Sequence, residues 1–298
     1  MRTFTTLVLM LIAVQTRAEA PKIGTDIAPI HSLVAQVMEG VGEPELLISG
    51  AASPHDFQFT FAQASAVQDA DMVIWAGSEL TPWLGEALEN LTPEEKRFSL
   101  LRSEMWPWLV RRDWDGDHDD HTHNDDSSVD PHAWLNPEVA MVWTRNIAFA
   151  LRVMDPENDA IYLDNAAATI ERLIQLDRDI AAQLAEVPRA AILVPHDAYQ
   201  YFGARYDVLA VGTISFLDAG SPSPAQIDAL LEQVRQDNVV CVLSDPQTRV
   251  EYVDLVREGS NAATAVADPL GTTFAPGLDH YDQTLRAIAN AYAECLSQ

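Results

Sequence analysis

From Asp159 to Val187 the chain runs without a glycine or a proline. Its apolar residues Ile161, Leu163, Ile170, Leu173, Ile174, Leu176, Ile180 and Leu184 recur at helical spacing until Pro188 stops the pattern. At 1.5 Å per residue, about 28 residues make a helix of roughly 40 Å, longer than one small lobe. A helix of that length in mid-chain serves as a stiff spine, and one lobe is expected on each side of it.

Both sides alternate short apolar strands with helices. Before the spine, strands are expected at Lys22–Ile27, Glu45–Ile48 and Asp71–Ala76, and helices at Ile30–Met38, Phe61–Gln68 and Thr81–Asn90. After it, strands are expected at Ala190–Val194, Val208–Val211 and Val239–Leu243. The helices there are expected around Tyr199–Ala204 and at Pro224–Gln236, Thr248–Gly259 and Tyr281–Leu296. Such alternation predicts parallel sheets covered by helices. The expected fold class is α/β: two lobes, each with a mostly parallel sheet flanked by helices, joined by one long spine helix. The expected division is an N-terminal lobe over residues 19–156, a linking helix over 157–188 and a C-terminal lobe over 189–298.

Residues 1–18 carry a basic start at Arg2, an apolar stretch from Leu7 to Val14 and small residues up to Ala18. This is the pattern of a secretory signal, with cleavage expected after Ala18 or Ala20. The apolar run of about eight residues falls well short of the roughly 20 needed to span a bilayer. No cysteine stands near the cleavage point to accept a lipid, so the mature chain is expected to be free and soluble. An exported chain with two cysteines, Cys241 and Cys295, invites one disulfide closing a loop of about 55 residues, with two buried free thiols as the alternative.

The chain has 45 acids against 18 bases, a net charge of -27. Loss of Arg2 and Arg17 with the leader leaves 16 bases against the same 45 acids, or -29. A surface this acidic repels phosphate backbones and excludes nucleic acid as a natural partner.

Three distant stretches each set a histidine beside a proline and an acid: Pro54-His55-Asp56, Asp130-Pro131-His132 and Pro195-His196-Asp197. Proline fixes φ and stiffens the loop, as a metal ligand requires. Asp268-Pro269-Leu270-Gly271 places an acid in a similar setting. Three imidazoles and a carboxylate suit tetrahedral Zn²⁺, with a water or a second oxygen of the same acid as the competing fourth donor. Residues 113–130 form a different kind of segment, a His/Asp-rich loop with His118, His121 and His123 as auxiliary metal-capturing candidates. His31 and His280 are expected to be structural, and Trp75, Trp83, Trp106, Trp108 and Trp134 to serve packing. His121-Thr122-His123-Asn124-Asp125 superficially matches the H-x-H-x-D of a zinc hydrolase. A closed site of three histidines and an acid leaves no open position for catalysis, so no enzyme is expected.

In order along the chain stand the Pro-His of residues 54–55, D-P-H-x-W-L-x-P at 130–137, P-H-D-A-Y-x-Y-F at 195–202, D-P-Q at 245–247 and D-P-L-G at 268–271. In these motifs the chain resembles the periplasmic metal-binding proteins of ABC importers, in the zinc-uptake branch typified by ZnuA and AztC. The resemblance implies metal ligands at His55, His132, His196 and Asp268. A histidine at the third of these positions is similar to the zinc branch, where the manganese branch carries glutamate. It also implies two lobes joined by a long helix, Zn²⁺ as transported ligand, a membrane permease and a zinc chaperone as partners, and a monomer that performs no catalysis. The chain departs from the family's usual E-P-Q in having Asp245.

Overall fold

The computed structural model describes residues 19–50, 52–112, 114, 129–215, 223–258 and 260–298. The first half forms β1 (Ile23–Thr25), α1 (Ala28–Met38), β2 (Glu45–Leu46), α2 (Phe61–Asp69), β3 (Met72–Trp75), α3 (Pro82–Leu91), β4 (Arg97–Ser99) and α4 (Pro137–Met154). Helix α5 (Asp159–Ala185) leads into β5 (Ile192–Val194), α6 (Gln200–Tyr206), β6 (Gly212–Thr213), α7 (Pro224–Gln236), β7 (Cys241–Ser244), α8 (Val250–Glu258), β8 (Ala263–Val266) and α9 (His280–Leu296). The strands pair in parallel throughout, in two four-stranded sheets ordered β2-β1-β3-β4 and β6-β5-β7-β8. The second sheet thus repeats the winding of the first. In each, the chain leaves its first strand to one side and then crosses back to the other, which creates a switch point where loops diverge and ligands bind.

The expected spine is present as α5, which buries Tyr162, Ala166, Thr169, Leu173, Leu176, Ile180 and Leu184 along one stripe. It packs against α4, α1 and α9. The sequence reading placed no helix at Pro137–Met154. That helix begins with Asn136 accepting from the Glu138 N–H at 2.8 Å, and it buries Val139, Trp143, Ile147 and Leu151. Strands β4 and β8 were likewise not expected, and the strand expected at Val208–Val211 lies at Gly212–Thr213. Trp75, Trp106 and Trp134 are buried as expected, whereas Trp108 is 57% exposed.

One core cluster takes in Ile23 and Ile74 of the first sheet, Leu173 and Ile180 of α5, Ile192 and Leu243 of the second sheet, and Ile288 of α9. Helix α9 reaches back to α1, where the Tyr281 N–H donates to Ser32 Oγ at 3.1 Å and the Gln36 amide donates to the Leu278 carbonyl at 2.8 Å. The Cys241–Cys295 disulfide ties β7 to α9 across 54 residues of sequence, with Cα atoms 5.5 Å apart. Closing a loop of that length stabilises the fold by about 4 kcal/mol in the chain-entropy account.

Asp26, at the carboxyl end of β1, is fully buried and accepts from the N–H groups of Ile27 and Ala76, each at 2.9 Å. These bonds join the end of β1 to the end of β3. Burial pushes its carboxyl up to about 6, against the downward pull of the two N–H groups. A folded value above the unfolded one means that the stabilising contribution is complete below about pH 4 and is lost as pH rises through about 6. In urea unfolding of the metal-free protein, the stability of Asp26→Asn relative to wild type should therefore improve by up to about 3 kcal/mol from pH 4 to pH 8. A difference that stays constant with pH would sink this assignment.

Candidate metal centre

Both sheets send the loops that follow their strands toward one place. His55 comes from the loop after β2, and that loop is held down by α3: Trp83 Nε1 donates to the Pro54 carbonyl at 2.7 Å, while Phe57 and Phe59 lie against the Trp83 ring. His132 opens the 3-10 turn Ala133–Leu135 just before α4. His196 stands two residues beyond β5.

The three imidazoles meet. Their ligand atoms lie within 4.8 Å of one another, with His132 and His196 buried and His55 half-buried. His55 Nε2 and His132 Nε2 are 3.3 Å apart. Two nitrogens bound tetrahedrally to Zn²⁺ at about 2.05 Å stand about 3.3 Å from each other, so this edge already has the dimension of a zinc site. The surrounding pocket, which Trp134, Gln247 and Leu270 also line, has about 10 Å³ for the centre of a water-sized sphere. That space is enough for one small ion or one water.

Two of the rings are aimed by buried carboxylates. Asp130 Oδ1 accepts from both the backbone N–H and Nδ1 of His132, at 3.0 and 2.8 Å. Asp245 Oδ2 lies 2.9 Å from His196 Nδ1, and its other oxygen accepts from the N–H groups of Gln247 and Thr248. A carboxylate at Nδ1 fixes the proton there and leaves Nε2 as the metal-facing lone pair. The topology explains the second pair, because Asp245 follows β7 and His196 follows β5, which are neighbours at the switch point of their sheet.

Further contacts tie the site's loops across the molecule. Trp134 Nε1 donates to the Pro269 carbonyl at 2.9 Å, and the Tyr281 hydroxyl donates to the Trp134 carbonyl at 2.6 Å. The Tyr199 hydroxyl donates to the Ala267 carbonyl, and burial, aided by the nearby Asp245 charge, keeps this phenol well above its usual range. Arg112 pairs with Asp197, next to His196, through its Nε at 3.0 Å and through a second nitrogen.

Asp268 does not join the three histidines. Its Oδ1 accepts from the Leu270 N–H at 3.0 Å, and its Oδ2 accepts from the Thr272 N–H and hydroxyl at 2.6 Å each. The following Gly271 has φ of +63°, and a Cβ there would come within 2.0 Å of Thr284 Oγ1 on α9. Asp-Pro-Leu-Gly here folds a loop tightly against α9. His31 and His280 occupy the structural places expected: His31 Nε2 is 3.0 Å from the Pro44 carbonyl, and His280 Nε2 is 2.8 Å from the Leu270 carbonyl. The expected leader over residues 1–18 and His118, His121 and His123 lie outside the described residues.

A family profile described as zinc-uptake complex component A, periplasmic, matches residues 23–295. The chain belongs to this family. It is 34% identical to the high-affinity zinc uptake system protein ZnuA of Paracoccus denitrificans, over 95% of this chain and 94% of that one. It is 32% identical to the protein of the same description from Brucella suis, over 91% and 90% of the two chains. A crystal structure of ZnuA superimposes with a TM-score of 0.76 at 22% identity, covering 92% of this chain and 99% of the other, which shows the shared fold. Among the described residues no helix of this family member is long and apolar enough to cross a membrane.

The carboxylates Asp130 and Asp245 were absent from the residues expected at the site. The signal was present, since each sits in a motif that was noticed, but only the fold shows that they face imidazoles. Asp245→Asn can retain one hydrogen bond while losing the charge, and zinc affinity should drop about 10- to 100-fold, as read by chelator competition. Unchanged affinity would mean that His196 needs no orienting anion.

Proposed function

We propose that this chain captures Zn²⁺ in the periplasm with His55, His132 and His196 and delivers it to the membrane permease of an ABC transporter. The observation that carries this reading is the convergence of three imidazoles with a zinc-like 3.3 Å nitrogen edge in a pocket of single-ion size. Membership of the zinc-uptake family supports the choice of metal and the delivery step. Zn²⁺ is cargo in this reading, as membership of a periplasmic uptake family supports.

Asp268, expected as the fourth ligand, acts in this reading through its loop, and solvent completes the tetrahedron. His118, His121 and His123 supply weaker auxiliary capture and the contact for a zinc chaperone. The working unit is a monomer, exported by the leader of residues 1–18. Its division into residues 19–156, the linking helix 157–188 and 189–298 follows the two sheets, with α9 as a tie between them. Binding requires neutral imidazoles, so affinity falls as pH drops below the histidine range.

Structural zinc binding of about 10–16 kcal/mol spread over four ligands gives about 3 kcal/mol each, or roughly a 10²-fold loss per ligand removed. Chelator competition with mass-spectrometric stoichiometry should show one tight zinc per chain, weakened on the order of 10²-fold or more in His196→Ala. Tight binding that survives this change would place the metal elsewhere. In the same assay Asp268→Asn should keep its zinc affinity within about threefold while lowering the melting temperature, because its loop is loosened. An affinity loss like that of His196→Ala would make Asp268 a ligand after all.

A further inference from the structure

Of the metal pocket's remaining polar side chains, Ser53 Oγ accepts from the His55 N–H at 3.3 Å, which leaves Gln247 without an assigned role. It lines the pocket beside His55, His132 and His196. Its backbone N–H is anchored on Asp245 Oδ1 at 3.0 Å, the same carboxylate that orients His196. Both its Nε2 and its Oε1 are buried without a hydrogen-bond partner among the described residues. Burying an amide in that condition is unfavourable, and native structures seldom tolerate it at both ends of one side chain. The neighbouring polar groups are engaged: Trp134 Nε1 by Pro269, and the Nδ1 atoms of His132 and His196 by carboxylates.

An ion held by three imidazoles has one tetrahedral position left, and both Asp268 oxygens already accept hydrogen bonds from Leu270 and Thr272. A neutral amide is a poor zinc ligand beside imidazole, but it carries both a donor and an acceptor, which is the complement of a metal-bound water. We infer that Gln247 holds and orients the water that completes the zinc coordination, as a positioning residue for the cargo ion. The protein then grips Zn²⁺ with three fixed nitrogens and one exchangeable oxygen, and exchange begins at the position Gln247 guards.

This inference rests on the three-histidine reading of the site, and the test separates the two. The mature protein and its Gln247→Leu and His196→Ala variants are loaded with Co²⁺ in buffer free of coordinating anions, and their visible ligand-field spectra are recorded. Zinc dissociation into a chromophoric chelator and the melting temperature of the metal-free forms are measured alongside. Gln247→Leu keeps the volume and removes the amide. It should alter the Co²⁺ spectrum and speed zinc dissociation about tenfold. The metal-free melting temperature should hold or rise, because a buried unpaired amide has been removed. A merely structural glutamine would instead lower that temperature and leave the spectrum alone, which overturns the proposal, as does a variant matching wild type in spectrum and dissociation rate. If His196→Ala also leaves the Co²⁺ spectrum and zinc dissociation untouched, the three-histidine site fails and this inference with it.

Discussion

The hydrogen bonds that His132 donates to Asp130 and His196 donates to Asp245 set the orientation of these two rings in the protein itself, ahead of any ion. A free imidazole can rotate about χ1 and χ2 and can carry its proton on either nitrogen. Arresting both freedoms costs side-chain entropy that would otherwise be charged against metal binding. Here the folded chain has already met that cost. His55 is different, being half-buried and set in a loop held through Pro54 and Trp83. The site thus combines two nitrogens aimed by buried anions with a third delivered by a loop at the surface of the pocket, which is the side from which an ion can enter.

The pairing of Asp245 with His196 depends in turn on sheet topology. Parallel strands deliver all their carboxyl ends to one edge, and neighbouring strands deliver them side by side. Because β5 and β7 are adjacent although separated by α6, β6 and α7, residues 49 apart in sequence come into hydrogen-bond contact. The Asp245 side chain of Asp-Pro-Gln reaches His196 Nδ1 at 2.9 Å. Its second oxygen receives two backbone N–H groups of the turn that leads to α8. One carboxylate therefore fixes a ligand and closes a turn at once.

Much of this was legible in the sequence, for reasons that also explain what was not. The α5 stripe is long and uninterrupted, and strands such as Ile192-Leu193-Val194 are buried on both faces, so periodicity and apolar runs marked them. The histidines announced themselves through their prolines. Asp268 stands beside a proline as His55 and His132 do, and its carboxylate accepts from Leu270 and Thr272. Nothing in a local motif says which way a side chain faces. Helix α4 escaped because its apolar stripe begins immediately after a motif rich in loop signals, and β4 and β8 because three or four residues carry almost no period. Asp245 escaped because its partner His196 is 49 residues away, and Asp130, two residues from His132, because its motif does not say that the carboxylate folds back onto the ring.

The same core that joins the halves constrains how cargo can be taken and released. Ile23, Ile74, Leu173, Ile192, Leu243 and Ile288 belong to one continuous apolar cluster, and α9 is tied to α1 by hydrogen bonds and to β7 by the disulfide. Opening the two sheets about a hinge would expose that cluster to water at roughly 25 cal/mol for every Å². Loop rearrangement around the pocket exposes far less. Contacts that hold these loops include hydrogen bonds from Trp134 to Pro269, Trp83 to Pro54, Tyr281 to Trp134 and Tyr199 to Ala267, and the Arg112–Asp197 ion pair. Each is worth on the order of 1 kcal/mol net, so rearranging the loops after β2, β5 and β8 costs far less than parting the two sheets.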